Sequence, residues 1–243
     1  MHFHLPKPLH GWRELAGEVG IIVVGVLIAL AAEQLVEEWT WHRKAEAARA
    51  SIMHELALDA GVFDERAINA KCVEANGAEL AAVLRKVAKT GVLPNLDHVG
   101  GGSTRPAVTG AWVAATADGT VSHLSNDFRE ILGIEYPLIA DYPNKLMEEN
   151  QQWAIVRLAQ QAPGPISETL LAEVATALAR ARYEARINDV VAAQALEVLE
   201  KAGVKPDYSF PLDAGASRAD LIRAIKTYGC KPLLVDGRQS PPA

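Results

Sequence analysis

An uninterrupted apolar run near the N-terminus is the feature that most constrains how this chain folds. The run, VGIIVVGVLIALAA, extends from Val19 to Ala32 between two glutamates. At about 1.5 Å per helical residue, the wider stretch 15–36 covers roughly 30 Å, which is the thickness of the hydrocarbon core of a bilayer. The sequence therefore predicts one transmembrane helix over residues 12–39.

Tryptophans mark both ends of this predicted helix. Trp12 precedes the apolar run, and Trp39 and Trp41 follow it. Because tryptophan is enriched at the membrane–water interface, we predict that these three residues are interfacial anchors. A cleaved signal peptide is the alternative, since residues 29–31 (Ala-Leu-Ala) have the small-x-small pattern of a cleavage site. The helical pattern continues past this point without a breaker, which favours the anchor.

One face of the predicted helix combines small residues with carboxylates, at about 100° per residue. This packing face consists of Glu18, Ile22, Gly25, Ala29, Ala32 and Glu33. Small residues allow membrane helices to approach closely, so we expect the face to bind another transmembrane helix, from a second copy or from a different protein. The opposite, bulky side suits lipid. The two glutamates either reach the membrane interface, which we favour, or carry protons or ions within the membrane.

The remaining residues predict a helical domain. Aromatic residues make up only 6% of the chain and alanine is abundant, which favours closely packed helices over sheets. The predicted organisation is a short tail at 1–11, the membrane helix, a helical domain at 40–230 with a loop at 91–105, and an extended tail at 231–243. The fold class is all-α: one N-terminal transmembrane helix that continues into an extramembrane helical bundle.

Capping residues and helix breakers suggest where the helices begin and end. After the anchor, either one helix or two helices joined near Gly61 would reach the loop. The later helices are predicted from Pro106 to Gly119, from Ser125 or Asn126 onward, from Pro143 to Gln161, from Ser167 to Ala202, and from Ser217, with Asp220 in a capping box, to Gly229. Residues 231–235 are a weak strand candidate.

The chain has two cysteines, Cys72 and Cys230, and both follow the predicted span. An even pair fits one disulfide in an oxidising compartment, and two buried thiols in a cytosolic domain would look the same. Basic residues flank both ends of the span, so the positive-inside rule does not decide the orientation. We favour the disulfide, with a short cytoplasmic tail and an exported C-terminal domain.

Two segments resemble a group of uncharacterised bacterial proteins. Residues 13–15 (Arg-Glu-Leu) followed by residues 22–30 match an N-terminus of the form R-E, a short spacer, then I-V-x-G-V-L-I-A-L. Residues 111–124 match a second segment, A-W-x-x-A-x-x-x-G-x-x-x-x-L. The resemblance implies a single-span anchor with a helical extramembrane domain, and it supplies no activity. With it, we expect the protein in a bacterial inner membrane, with its C-terminal domain in the periplasm.

No motif predicts catalysis or cofactor binding. The stretch 118–127 contains Asp, Ser and His, the residue types of a nucleophilic triad, but triad members usually converge from separate elements. His54-Glu55 lacks the second histidine of a zinc helix, and the triplet Gly100–Gly102 lacks the Lys-Ser/Thr of a phosphate loop. We therefore predict no catalytic residue, no cofactor and no metal. A net charge of −6 argues against nucleic acid binding.

The sequence thus predicts a membrane-anchored interaction or scaffolding protein, as an accessory subunit of a larger assembly or as a homo-oligomer. Its expected partners are membrane lipid and another transmembrane helix. A membrane-tethered sensor of a small ligand and an unrecognised membrane-bound hydrolase are the alternatives. A cleft around Trp112 and Trp153 would favour the sensor, a Ser-His-carboxylate cluster the hydrolase, and a filled core the scaffold.

Overall fold

A single helix joins the apolar segment to the folded domain. The structure, a computed structural model, describes residues 11–102 and 105–234. Its first helix, α1 (Trp12–Thr90), contains 79 residues and is unbroken at Gly61. At about 1.5 Å per residue, it is about 120 Å long. Of the two arrangements that the sequence allows, the structure has the single long helix.

The predicted all-α fold is confirmed. The other elements are β1 (Val92–Leu93), α2 (Gly110–Ala117), a 3₁₀ turn (Thr120–His123), α3 (Asn126–Val156), α4 (Leu158–Gln161), β2 (Gly164–Pro165), α5 (Glu168–Lys201), α6 (Arg218–Ala224) and a π turn (Ile225–Gly229). As the sequence suggests, α3, α5 and α6 begin with the serine caps Ser125, Ser167 and Ser217. The side chain of each serine accepts a backbone N–H from the first turn, and this satisfies a donor that has no partner inside the helix.

Some predicted boundaries are wrong. Helix α3 runs through Pro137 and Pro143, although the sequence predicts a start at Pro143. Both prolines lie on the exposed side of α3, so neither ring has to fit into the packed interior of the bundle. Helix α2 begins at Gly110, although the sequence predicts a start at Pro106. Residues 105–109 are not helical. Residues 231–234 form no strand; the two strands pair instead at Val92–Leu93 and Gly164–Pro165, antiparallel to each other.

Helices α1, α3 and α5 form a three-helix bundle. Side-chain contacts between α1 and α3 show that these helices run parallel, while α5 runs antiparallel to both. The fully buried apolar residues of the bundle include Ile52, Leu56 and Phe63 of α1, Leu132, Ile139 and Trp153 of α3, and Ala181, Ala192 and Ala195 of α5. Because α5 contributes alanines at the contact, its axis can approach its neighbours closely.

The C-terminal segment, residues 204–234, runs back along α1 away from the apolar segment. The Asp207 N–H donates to the Ala57 carbonyl at 2.8 Å. Further along, the Tyr208 hydroxyl donates to Asp64 at 2.9 Å, and Arg218 pairs with the same carboxylate at 2.7 Å. This contact requires a glycine on α1, because a Cβ on Gly61 would lie 2.0 Å from the Asp207 carbonyl oxygen.

Replacing Gly61 by Ala should therefore destabilise the domain by about 1–3 kcal/mol, the usual cost of overpacking. The obstructing atom belongs to the backbone, so the segment around Asp207 must move. Gly133→Ala is the matched control, because a Cβ there meets no atom within 4 Å. It should stabilise helix α3 by roughly 0.5–1 kcal/mol. Urea unfolding of both variants measures the difference, and an equally stable Gly61→Ala protein would contradict the close contact.

Candidate functional site

The predicted packing face of the apolar helix is entirely exposed. This part of α1 is long and apolar enough to cross a membrane, and none of it is buried inside the protein. A Cβ on Gly25 would meet no atom of the protein within 4 Å, and Ile22 is 65% exposed. The described residues of the chain therefore supply no contact for this face, and its neighbours would be lipid or another molecule.

Because α1 is unbroken, the direction of the packing face relative to the bundle can be read along the helix. At about 100° per residue, Gly25 and the buried Ala45 point about 160° apart. Ala45 begins the row of buried residues through which α1 contacts the bundle. The packing face thus points away from α3 and α5, so a partner helix can reach it without meeting the domain.

The same face continues beyond the apolar segment. Ala50 lies about five turns after Ala32, at about 3.6 residues per turn, and so points in the same direction. Ala47, Ala50 and Ser51 are all exposed. Small residues thus occupy this side of α1 on both sides of the predicted membrane boundary, although Thr40 and Arg43 interrupt the row.

The three predicted interfacial tryptophans have different surroundings. Trp12 is 79% exposed, and Trp39 is exposed with the Arg43 guanidinium 4.9 Å from its ring centre. Trp41 is half-buried, because the ring of His123 stacks on it at 4.1 Å between ring centres. The stacking of His123 on Trp41 therefore attaches the 3₁₀ turn to α1. The two residues are far apart in the chain, so the sequence does not reveal this contact.

Residues 105–123, which include α2 and the 3₁₀ turn, form an arm that lies against the bundle. Glu55 of α1 holds the start of α2: its carboxylate accepts the N–H of Ala111 at 2.6 Å and that of Trp112 at 3.2 Å. The Tyr136 hydroxyl of α3 donates to the same group at 2.5 Å. A carboxylate at a helix N-terminus is favourable, because the free N–H groups there carry partial positive charge.

Two further carboxyl groups lie buried beside Glu55. The Val108 N–H of the arm donates to one oxygen of Asp59 at 2.7 Å, while the other oxygen has no hydrogen-bond partner among the described residues. Glu135 of α3 is 0% exposed, and neither of its oxygens has such a partner. Burial raises the pKa of Asp59 to about 7 and the pKa of Glu135 to about 7.

A second polar cluster joins the three bundle helices further along the domain. Arg66 of α1 pairs with Glu149 of α3 at 2.9 Å and with Asp189 of α5 at 2.5 Å, and it donates to the Ala185 carbonyl at 2.9 Å. Although burial tends to lower the pKa of Arg66, the charges of Glu149 and Asp189 outweigh it and the pKa is raised. Because Arg66 and Glu149 are almost fully buried, the cluster is part of the core.

The glycine triplet at 100–102 covers this cluster. A Cβ on Gly102 would lie 1.9 Å from the Arg66 guanidinium, and one on Gly101 would lie 3.3 Å from the Trp153 ring. The Gly100 N–H donates to the Asn76 side chain at 3.2 Å. The triplet belongs to the predicted loop at 91–105, and it is packed against buried side chains.

Cys72 and Cys230 form a disulfide in the structure, joining α1 to the end of the C-terminal segment. Their sequence separation is 158 residues. The chain also packs closely next to the bond. Asn69 lies one turn before Cys72, and its side-chain oxygen is 3.0 Å from the position that a Cβ on Gly229 would take. The C-terminal segment is therefore attached to α1 at both of its ends, by the contact at Gly61 and by the disulfide.

The stretch 118–127 has structural roles. Asp118 accepts the Thr120 N–H at 3.0 Å, and the Ser122 hydroxyl donates to the Gly119 carbonyl at 2.8 Å. Ser125 caps α3, while His123 stacks on Trp41. These contacts use the side chains locally, and they bring no serine, histidine and carboxylate into a triad. No group of three metal-ligating side chains is found within 11–102 and 105–234.

The two remaining tryptophans fill the core. Trp153 is 0% exposed, and its indole N–H donates to Glu149 at 3.1 Å. Trp112 is half-buried and stacks on Tyr136 at 4.5 Å between ring centres. A shallow groove of about 520 Å³ lies elsewhere, between α1 and α5 near Leu84 and Leu171. Among the described residues, the rings of both tryptophans are thus packed against other side chains.

Comparison with known proteins adds no family to these observations. No protein-family model matches the chain, no curated protein is significantly similar to it in sequence, and no solved structure is significantly similar to it in fold. The resemblance to uncharacterised bacterial proteins, based on residues 13–30 and 111–124, stays a prediction.

Proposed function

We propose that this chain is a membrane-anchored scaffolding protein, which associates through the small-residue face of α1 and presents its helical bundle at the membrane surface. One observation carries the proposal: the exposed packing face and the buried row through which α1 contacts the bundle lie on the same unbroken helix and point in nearly opposite directions. A partner bound along Gly25, Ala29 and Ala32 is therefore compatible with the folded domain. The partner is a second copy or the membrane helix of a larger assembly.

The interior of the domain supports an interaction role over the alternatives. A ligand sensor needs a pocket with a few convergent polar groups, whereas Trp153 is packed and Trp112 is stacked on Tyr136. A hydrolase needs a nucleophile beside a base, and the serines at 122 and 125 are used in a turn and a cap. A scaffold needs only a stable shape and an exposed contact surface.

The disulfide supports export of the domain. Disulfides persist in oxidising compartments such as the bacterial periplasm and are rare in the cytosol. The bond between Cys72 and Cys230 lies in the domain that follows the apolar helix. With the resemblance to bacterial proteins, it supports an inner-membrane protein whose short N-terminal tail is cytoplasmic and whose bundle is periplasmic.

Replacing Gly25 by Leu should abolish or strongly reduce assembly in membranes. Added bulk on the packing face separates helices that would otherwise be in close contact. Gly20→Leu is a matched control, because Gly20 lies on the bulky side of α1 and a Cβ at either glycine meets no atom of the protein within 4 Å. Both changes raise hydrophobicity equally, so membrane insertion should be unaffected. Crosslinking in native membranes measures the yield of assembled protein.

Native mass spectrometry after gentle detergent extraction should then identify the assembly as a homo-oligomer or a complex with another protein. Equal crosslinking yields for Gly25→Leu, Gly20→Leu and wild type would refute the packing face. Loss of assembly in both variants would show that hydrophobicity alone, and not the face, controls association.

A further inference from the structure

The arm at 105–123 contacts two carboxyl groups of α1, Glu55 and Asp59, and the buried Glu135 of α3 lies close enough to act on Asp59 through its charge. Asp59 uses one oxygen to accept the Val108 N–H and leaves the other buried without a partner among the described residues. Glu135, also buried, is paired through neither oxygen. An isolated carboxylate is expensive to bury, so a carboxyl group in such a place binds a proton instead. We propose that the arm is a proton-operated latch, held on the bundle while Asp59 and Glu135 are protonated and released when they ionise.

The surroundings of Asp59 make its ionisation unfavourable. The charged groups that act on it are Glu55, one turn earlier on α1, and Glu135 on α3, and both are acids. Glu55 accepts hydrogen bonds from the backbone N–H groups of Ala111 and Trp112 and from the Tyr136 hydroxyl. The buried residues that α5 contributes to this part of the core are Ala192, Ala195 and Leu199, which carry no charge. Ionisation of Asp59 therefore places a negative charge beside two other acids.

The pH range of the latch follows from burial. The pKa of each group is raised to about 7 in the folded protein, against an ordinary value of about 4 for an exposed carboxyl. Between about pH 4 and about pH 7, the docked state therefore binds more protons than the released state does. Docking is therefore strongest below about pH 4, weakens as the pH rises towards about 7, and stays weak above that.

Release of the arm would change the surface of α1 close to the apolar segment. The far end of the arm carries His123, which covers Trp41, and the buried Thr120. Its departure would uncover α1 between Ala45 and Leu56, which the arm and its neighbours now bury. The latch goes beyond the proposed function and does not depend on it, because the arm can be released whether or not the chain has a partner.

Hydrogen–deuterium exchange of the full-length protein in detergent tests the latch. Peptides covering Val108, Ala111 and Trp112 report docking, because these amides donate to Asp59 and Glu55. After correction for the intrinsic pH dependence of exchange, their protection should fall at least tenfold from pH 5 to pH 8. A peptide from the middle of α5 is the internal reference and should change much less.

The double variant Asp59→Asn/Glu135→Gln should remove the pH dependence and keep the arm protected at pH 8. An amide at position 59 still accepts the Val108 N–H and cannot ionise. The matched control is Glu130→Gln on the exposed side of α3, which should behave as wild type. Protection that is independent of pH in the wild-type protein would overturn the latch. A pH dependence that survives unchanged in the double variant, or that is not reduced in Asp59→Asn if the double variant fails to fold, would also overturn it.

Discussion

Replacing both Cys72 and Cys230 by Ser should lower the free energy of unfolding by about 5 kcal/mol, as expected from the chain-entropy model for a very long closed loop. The bond spans 158 residues and restricts the unfolded chain far more than the folded one. Urea unfolding, followed by tryptophan fluorescence, measures the loss. Reduction of the wild-type protein should reproduce the effect, and the same reductant should leave the double variant unchanged.

Free-thiol counting under denaturing, non-reducing conditions provides a second test of the same bond. Protein freshly isolated from membranes should contain no reactive thiol. Two reactive thiols per chain would contradict the Cys72–Cys230 bond and would remove its support for a periplasmic domain. Stability that does not change on reduction would show that packing of residues 204–234 suffices without the disulfide.

Replacing Arg66 by Met should destabilise the protein by about 3–5 kcal/mol, the usual loss when one partner of a buried ion pair is removed. The change leaves Glu149 buried without its guanidinium partner and takes away the charge next to Asp189. The control is Lys201→Met, which removes an exposed ion pair with Glu197 and should leave the urea midpoint within error. Equal effects of the two changes would contradict a central role for the Arg66 cluster.

A compensating substitution separates lost charge balance from lost packing. Arg66→Met combined with Glu149→Gln removes the unpaired carboxylate, while the amide oxygen can still accept the Trp153 indole N–H. The double variant should recover part of the stability that Arg66→Met loses. No recovery would indicate that the length and packing of the arginine, rather than its charge, hold α1, α3 and α5 together.

Local chemistry explains which features could be predicted from the sequence. The caps Ser125, Ser167 and Ser217 act on amides three residues away, so a short window of sequence contains the whole interaction. Prolines mislead the same reasoning. Pro137 and Pro143 look like helix breakers in the chain, yet α3 accommodates both on its exposed side. Whether a proline faces solvent depends on what packs against the rest of its helix.

The buried carboxyls required the tertiary structure. Glu55 meets Tyr136, 81 positions away, and Asp59 meets the Val108 amide, 49 positions away. A weak signal was present, because Glu55 and Asp59 lie among the apolar residues Ile52, Leu56 and Phe63 at helical spacing. An acid beside an apolar row can be solvated or buried, and the sequence does not distinguish the two. The choice depends on whether another element covers the row.

The sequence by itself determined the apolar helix, its small-residue face and the all-α class, because hydrophobic length, residue size and periodicity are properties of a single segment. The tertiary structure decided the rest. In it, α1 is one continuous helix through Gly61, the packing face points away from the bundle, and the arm lies over Glu55 and Asp59. These features depend on contacts between distant parts of the chain, whose energies become known only when the helices are packed together.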